Sequence, residues 1–240
     1  MLTVLFGVDI RFAAGASLIA VIATSSGAAS AYVKEGFSNI RIGMFLEIAT
    51  TIGAVIGASI VGIISANVVS IIFAIILVYS AITTFIKKDE HVEHKQDPIA
   101  GKLKLNGTYP VGGKLVSYNV QKVPQGFIMM IFAGLLSGLL GIGSGAAKVL
   151  AMDQIMKIPF KVSTTTSNFM IGVTAAASAG IYLKNGYIHA ALVMPVMLGV
   201  LSGAFLGARI LTSTSSKKLK IIFSVIILIM AFEMFKNGLK

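Results

Sequence analysis

Long apolar blocks without charge alternate with short polar, basic breaks along this chain. Residues 12–33, 126–147 and 162–183 each run 22 positions without Asp, Glu, Lys or Arg. Residues 42–86 carry a single charge, Glu47, over a length that fits two apolar helices broken near Ser65-Ala66-Asn67. Residues 185–208 and 221–235 complete the pattern. A bilayer core takes about 20 apolar residues per helix, so the pattern predicts an all-α, polytopic bundle of about seven spans. Between the blocks, KLKLNGTYPVGGKLVSYNVQKVP (residues 102–124) alternates apolar and polar positions on both sides of Gly112-Gly113, which predicts a small β-hairpin with a glycine turn.

The chain divides accordingly into a first half (residues 1–86, about three helices), a polar basic loop with the hairpin (87–125), and a second half (126–240, about four helices). Composition agrees: 56% of the 240 residues are hydrophobic and only 12% charged, against about 25% charged in soluble domains. The formal charge of +11 does not indicate nucleic acid, because the lysines gather in loops and at helix ends, as the positive-inside rule and anionic lipid require. Residues 87–125 hold seven lysines against four acids, which predicts that this loop is cytoplasmic in a multi-pass cell-membrane protein. The absence of cysteine excludes disulfides and thiolate chemistry. His91 and His94, with Glu93 between them, read as a solvated loop rather than a metal site, and no metal or other cofactor is expected.

An internal repeat appears at a constant offset of 150. Laid on each other without a gap, residues 6–60 and 156–210 match Ser17 with Ser167, Thr24 with Thr174, Tyr32 with Tyr182, Lys34 with Lys184, Gly36 with Gly186, Gly53-Ala54 with Gly203-Ala204, and Gly57-Ala58 with Gly207-Ala208. Chance alignment of apolar sequence supplies Ala and Gly matches readily, but not Tyr-x-Lys-x-Gly. The small-xxx-small pairs Gly53/Gly57 and Gly203/Gly207 predict close helix approach in lipid, and Pro195 predicts a kink in the second copy. Span counting places the copies four crossings apart and hence parallel. A glycine segment that dips and returns would invert them, and the sequence leaves both arrangements open.

The glycine segment GLLSGLLGIGSGAAKV (residues 134–149) fits neither a dinucleotide fingerprint, which needs a strand before it and an acid downstream, nor a P-loop, because Lys148 precedes Val149 rather than Ser or Thr. It fits a helix broken within the bilayer, the kind of element transporters use at their binding sites. Gly141, Gly143, Ser144 and Gly145 would form the break and Lys148 would bring positive charge to it, whereas the structural alternative is close helix packing with a snorkelling lysine.

GLLGIGSGAAK (138–148), PFKVSTTTSNFMIGVTAAASAGIYLKNG (159–186) and ASLIAVIATSSGAASAYVKEG (16–36) together resemble the two halves of the TauE/SafE family of sulfite and organosulfonate exporters. The resemblance spans nearly the whole chain and implies a plasma-membrane protein of two related halves that exports a small anion. It also implies a glycine-bearing helix ahead of the first repeat, and this chain begins after the position that helix would occupy. Two further departures are Ser144 in a usual Gly-Ile-Gly-Gly-Gly and Leu150 in place of a usual proline.

An anion with acceptor oxygens calls for donors and little acid. Hydroxyls are dense at 163–167, and Ser17, Ser167 and Asn168 are the preferred candidates beside the glycine–lysine segment, because the repeat pairs the serines and Asn168 carries two donors; Thr24 is a further candidate. Glu47 is an acid well inside a span. It is either a proton-coupling residue or a structural partner of Arg41 or a lysine. No ATP motif and no nucleophile–base set is visible, so the reading is a secondary transporter of a small anion, not an enzyme. A non-transporting integral membrane protein is the alternative. The implied partners are the anion and the lipid bilayer, with room for a homo-oligomer and no nucleic acid.

Overall fold

The computed structural model describes residues 2–34, 38–85, 97–111, 114–141, 143–213, 228–229, 231–236 and 238–239. His91, Glu93, His94 and most of the 221–235 block lie outside the described residues or are described only in part. The described chain is mostly helical with one two-stranded sheet. Its helices are α1 (Leu2–Phe6), α2 (Ile10–Lys34), α3 (Ile40–Ile60), α4 (Ala66–Phe85), α5 (Pro98–Lys102), α6 (Val123–Leu140), α7 (Gly145–Leu150), α8 (Phe160–Lys184) and α9 (Ala190–Ser213). A π-helical turn, Ala151–Ile155, continues α7.

Helix starts follow local chemistry. Asn39 caps α3 by accepting from the Ile42 amide, and Asp97 caps α5 by accepting from the Ile99 amide, each satisfying a donor that the first turn leaves unpaired. Proline in the first turn of α6 costs nothing there. The second carboxylate oxygen of Asp97 also accepts from the Val123 amide, which ties the loop to the start of α6. The two strands of the predicted hairpin are present, and the Gly112-Gly113 turn lies outside the described residues. Strand β1 (Gly107–Val111) pairs antiparallel with β2 (Lys114–Tyr118), Gly107 opposite Tyr118 and Val111 opposite Lys114. Asn39 fastens it to the bundle through its side-chain amide, which donates to the Leu105 carbonyl and to the Tyr118 hydroxyl at 2.7 Å. Burial raises the pKa of the Tyr118 hydroxyl above its ordinary value, and the bond from Asn39 opposes that shift.

Two of the described helices, Ile40–Ile60 and Val123–Leu140, are long and apolar enough to cross a membrane by length and composition. They pack in parallel through glycine. A Cβ added at Gly53 or Gly57 would fall on the carbonyls of Ile131 or Leu135, and one added at Gly134 or Gly138 on those of Thr50 or Ala54. Backbones this close gain van der Waals contact that lipid, as apolar as leucine, cannot displace. The outward face of α3 exposes Met44, Ile48, Ile52, Val55 and Ile56, and one-sided apolar exposure of this extent suits lipid rather than water. In the second copy, a Cβ added at Gly203 would meet no described residue within 4 Å, and the surroundings of Gly207 lie outside the described residues. Helix α9 runs through Pro195 as one element.

The direction of each helix follows from its neighbours. Asn39, at the start of α3, donates its amide to Thr166 near the start of α8. At the other end, Gly15 and Phe12 of α2 sit against Tyr187, just past α8, while Ser25 lies against Gly172. So α2 and α8, the two helices matched at the offset of 150, run antiparallel. This answers the question that span counting leaves open, and the cause is the segment after α6. Ser144 Oγ donates to the Ala133 carbonyl at 2.6 Å, and the Gln121 amide donates to the Met156 carbonyl. The chain therefore descends along α6, turns at 141–144, and climbs back beside α6 through α7 and the π turn to the hairpin end.

Candidate functional site

The turn that reverses the chain is built from the glycine run. Gly141 and Gly143 have φ of 67° and 69°, the left-handed region that costs glycine nothing. Ser144 takes φ 41° between them and the start of α7, at the penalty a non-glycine residue carries there, and its bond to Ala133 fixes it. The five glycines of this stretch thus act in three ways. Gly134 and Gly138 admit α3, Gly141 and Gly143 make the turn, and Gly145 opens α7 against Ile171, where a Cβ would lie 2.6 Å from the Ile171 Cδ1. Ser167 donates to the Gly145 carbonyl at 3.1 Å, which links α8 to the first turn of α7.

One turn into α7 stands Lys148, which is fully buried, with 0% relative exposure. Its ammonium does not snorkel to an interface. It donates to Thr174 Oγ1 of α8 and lies 4.0 Å from Glu47 Oε2 of α3. Glu47 itself is 7% exposed. Its Oε1 accepts from Thr174 Oγ1 at 2.7 Å and from Thr51 Oγ1 at 3.2 Å. The single Thr174 proton has a second acceptor, the Met170 carbonyl at 3.0 Å, and Thr50 Oγ1 closes the group at 3.5 Å. Three helices therefore converge on an ion pair in the middle of an apolar bundle, α3 through Glu47, Thr50 and Thr51, α7 through Lys148 and α8 through Thr174. Isolated charges there would cost several kcal/mol each. Among the described residues, Glu47 Oε2, Ser38 Oγ and Ser137 Oγ are buried side-chain oxygens with no hydrogen-bond partner.

The residues singled out from sequence fall into two groups. Gly141, Gly143, Ser144, Gly145, Lys148 and Ser167 are brought together by the return of the chain along α6. Glu47 joins them through Thr174. Its partner is Lys148 and not Arg41, which donates to the Lys104 carbonyl at the hairpin end. Asn168 is half-buried on α8 beside Ser167. Ser17 and Thr24 lie on α2, which packs along α8, and the Thr24 hydroxyl is spent on its own helix, on the Ala20 and Val21 carbonyls. Within the hydroxyl-rich start of α8, Ser163 and Thr165 likewise return to carbonyls of the preceding turn, and Thr166 receives Asn39. Such back-bonding is the ordinary fate of hydroxyls in membrane helices. Sequence reasoning missed Thr174, Thr50 and Thr51. The signal for Thr174 was its match with Thr24 at the repeat offset.

The arrangement can hold charge, donate several hydrogen bonds and move a proton at a carboxylate. The family described as sulfite exporter TauE/SafE matches residues 1–234. Two relatives from Bacillus subtilis (strain 168) are similar across most of the chain. The "Probable membrane transporter protein YunE" is 25% identical over 229 residues, covering 95% of this chain and 82% of the relative. The "Probable membrane transporter protein YdhB" is 28% identical over 210 residues, covering 87% of this chain and 78% of the relative. No solved structure matches the chain.

Proposed function

The chain belongs to the sulfite exporter TauE/SafE family, and from that premise we propose that it exports a small anion, sulfite or an organosulfonate, by a gradient-driven mechanism. It is a membrane transporter, in keeping with the family and with both relatives. The observation that carries the anion reading is Lys148. A fully buried ammonium stands beside a helix broken at glycine, in the core of a bundle whose α3 and α6 are apolar enough to cross a bilayer. Ionisable groups at such depth mark substrate and ion pathways, and a helix broken at depth is where transporters place their sites.

In this reading the bundle is a multi-pass protein of the cell membrane with about seven crossings. Its two halves are related by inversion, and the lysine-bearing hairpin end faces the cytoplasm. Gly141, Gly143, Ser144 and Gly145 shape the site, Lys148 supplies the charge that attracts the anion, and Ser167, Asn168 and Ser17 offer polar contacts along its wall once the helices part. Glu47 is the coupling residue. A site of one cation, hydroxyls and amides, with its acid already engaged, suits a singly charged oxyanion better than a metal ion.

Efflux of labelled sulfite from proteoliposomes tests the proposal, with acetate as the control anion. Saturable efflux that is selective for sulfite, and reduced at least tenfold in Lys148→Ala, is the expected outcome. Efflux from well-folded wild-type protein no faster than from protein-free liposomes would overturn it.

A further inference from the structure

The pair at the centre of the site is incompletely joined. Lys148 has three N–H donors, and Thr174 is the acceptor that the described residues place within hydrogen-bond distance. Glu47 Oε1 carries the bonds from Thr174 and Thr51, while Oε2 carries none. The oxygen that faces the ammonium at 4.0 Å is therefore the unpartnered one, so a proton can settle on Oε2 without breaking any existing bond. An ammonium with donors to spare and a carboxylate oxygen with lone pairs to spare face each other just beyond hydrogen-bond reach.

Charge balance decides how this spare capacity can be used. Away from helix ends, Lys148 and Glu47 are the charged residues of α3, α6, α7 and α8. Around Glu47, α7 presents Lys148, α8 presents Thr174, α3 itself presents Thr50 and Thr51, and α6 presents the glycine-lined backbone that faces Thr50. The π turn that continues α7 adds Asp153, and among the described residues Lys148 and Glu47 each have the other as ion-pair partner. In a medium of low dielectric a net charge is strongly penalised, so two loadings are favoured: Lys148 paired with ionised Glu47, or Lys148 paired with an anion while Glu47 is protonated. An anion added beside ionised Glu47 leaves an uncompensated negative charge, and a proton added without an anion leaves an uncompensated positive one.

Building on the anion reading of this site, we infer that Glu47 and the transported anion are alternative counter-ions of Lys148, so that each monoanion crosses together with one proton carried on Glu47 Oε2. The O–H bond forms with a proton from the water of one compartment and breaks by release to the water of the other. No electron changes hands. The substrate class that needs this device is the anion of a strong acid, such as a sulfonate, which carries no proton of its own near neutral pH. Transport is then electroneutral, and its direction follows the anion gradient and the pH gradient together.

The test uses full-length protein in liposomes, with the membrane potential clamped at zero and labelled methanesulfonate as the probe. Methanesulfonate stays ionised, so it cannot cross the lipid as a neutral acid. A pH gradient of one unit should bring the wild type to an anion ratio of about tenfold in favour of the alkaline side, the ratio set by one proton per anion. In Glu47→Gln the ratio should fall to about one while exchange of labelled for unlabelled methanesulfonate stays detectable. Glu47→Asp, which keeps the carboxylate, should retain part of the accumulation and guards against misreading a folding defect. Wild-type exchange with a ratio of one, or tenfold accumulation by Glu47→Gln, overturns the coupling but leaves the anion reading standing. Wild-type protein that exchanges neither methanesulfonate nor sulfite overturns the anion reading and the coupling with it.

Discussion

Lys148 and Glu47 are each costly to bury and tolerable only together. Removing one partner strands the other charge at the centre of the bundle, where a broken buried pair costs about 3–5 kcal/mol, while replacing both with apolar groups of similar size is often neutral. Lys148→Met and Glu47→Leu should therefore each lower stability by about 3 kcal/mol or more, and the double variant should recover most of that loss. A double-mutant cycle on reversible unfolding in detergent measures this. Losses that simply add would show that the two side chains do not depend on each other. The pair was half legible in the sequence. Both residues stood out as charges inside apolar blocks, but they are separated by the rest of the first half, the hairpin loop and α6, and one-dimensional patterning carries no information on which helix faces which. Thr174, which joins them, looked like any of its hydroxyl neighbours. Its importance comes from its register on α8, opposite Thr50 and Glu47, and not from its residue type.

At the scale of elements, glycine has opposite meanings in two helices that match in sequence. Gly53 on α3 is where the α6 backbone enters, whereas a Cβ at Gly203 on α9 meets no described residue within 4 Å. Gly53→Ala should overpack the α3–α6 contact and destabilise the protein by about 2 kcal/mol. Gly203→Ala should leave stability unchanged or raise it by up to about 1 kcal/mol through helix propensity. Thermal unfolding of both variants checks the pair, and equal effects of either sign would contradict the packing. The long helices, the hairpin and the break at Gly141–Ser144 could be read from the sequence because each rests on local chemistry: apolar length, alternation about a glycine turn, positive φ. The packing partner of each GxxxG could not be read, because the motif states that a backbone can approach and not whether one does. The π turn after α7 was likewise invisible, since no local residue type demands it.

The whole molecule turns on one reversal. Because the chain folds back along α6 through α7, α8 starts at the hairpin end instead of the opposite one, and α2 and α8 come to lie antiparallel. Hydropathy reads the same in either direction, so the sequence could frame that outcome but not choose it. The return also carries Lys148 into the core beside α3, where Glu47 waits, and so the broken helix and the ion pair are two results of one turn. Anion recognition by Lys148 at this broken helix is the central claim, and binding tests it most directly. Thermal unfolding of the purified protein should be followed in detergent across a sulfite titration, with acetate alongside. Wild-type protein should gain stability with sulfite, by about 2.7 kcal/mol at a hundredfold excess over the dissociation constant. Lys148→Met should show no sulfite-dependent gain. An equal gain in Lys148→Met, or one in the wild type that acetate reproduces in full, would contradict the assignment of Lys148 as the anion site.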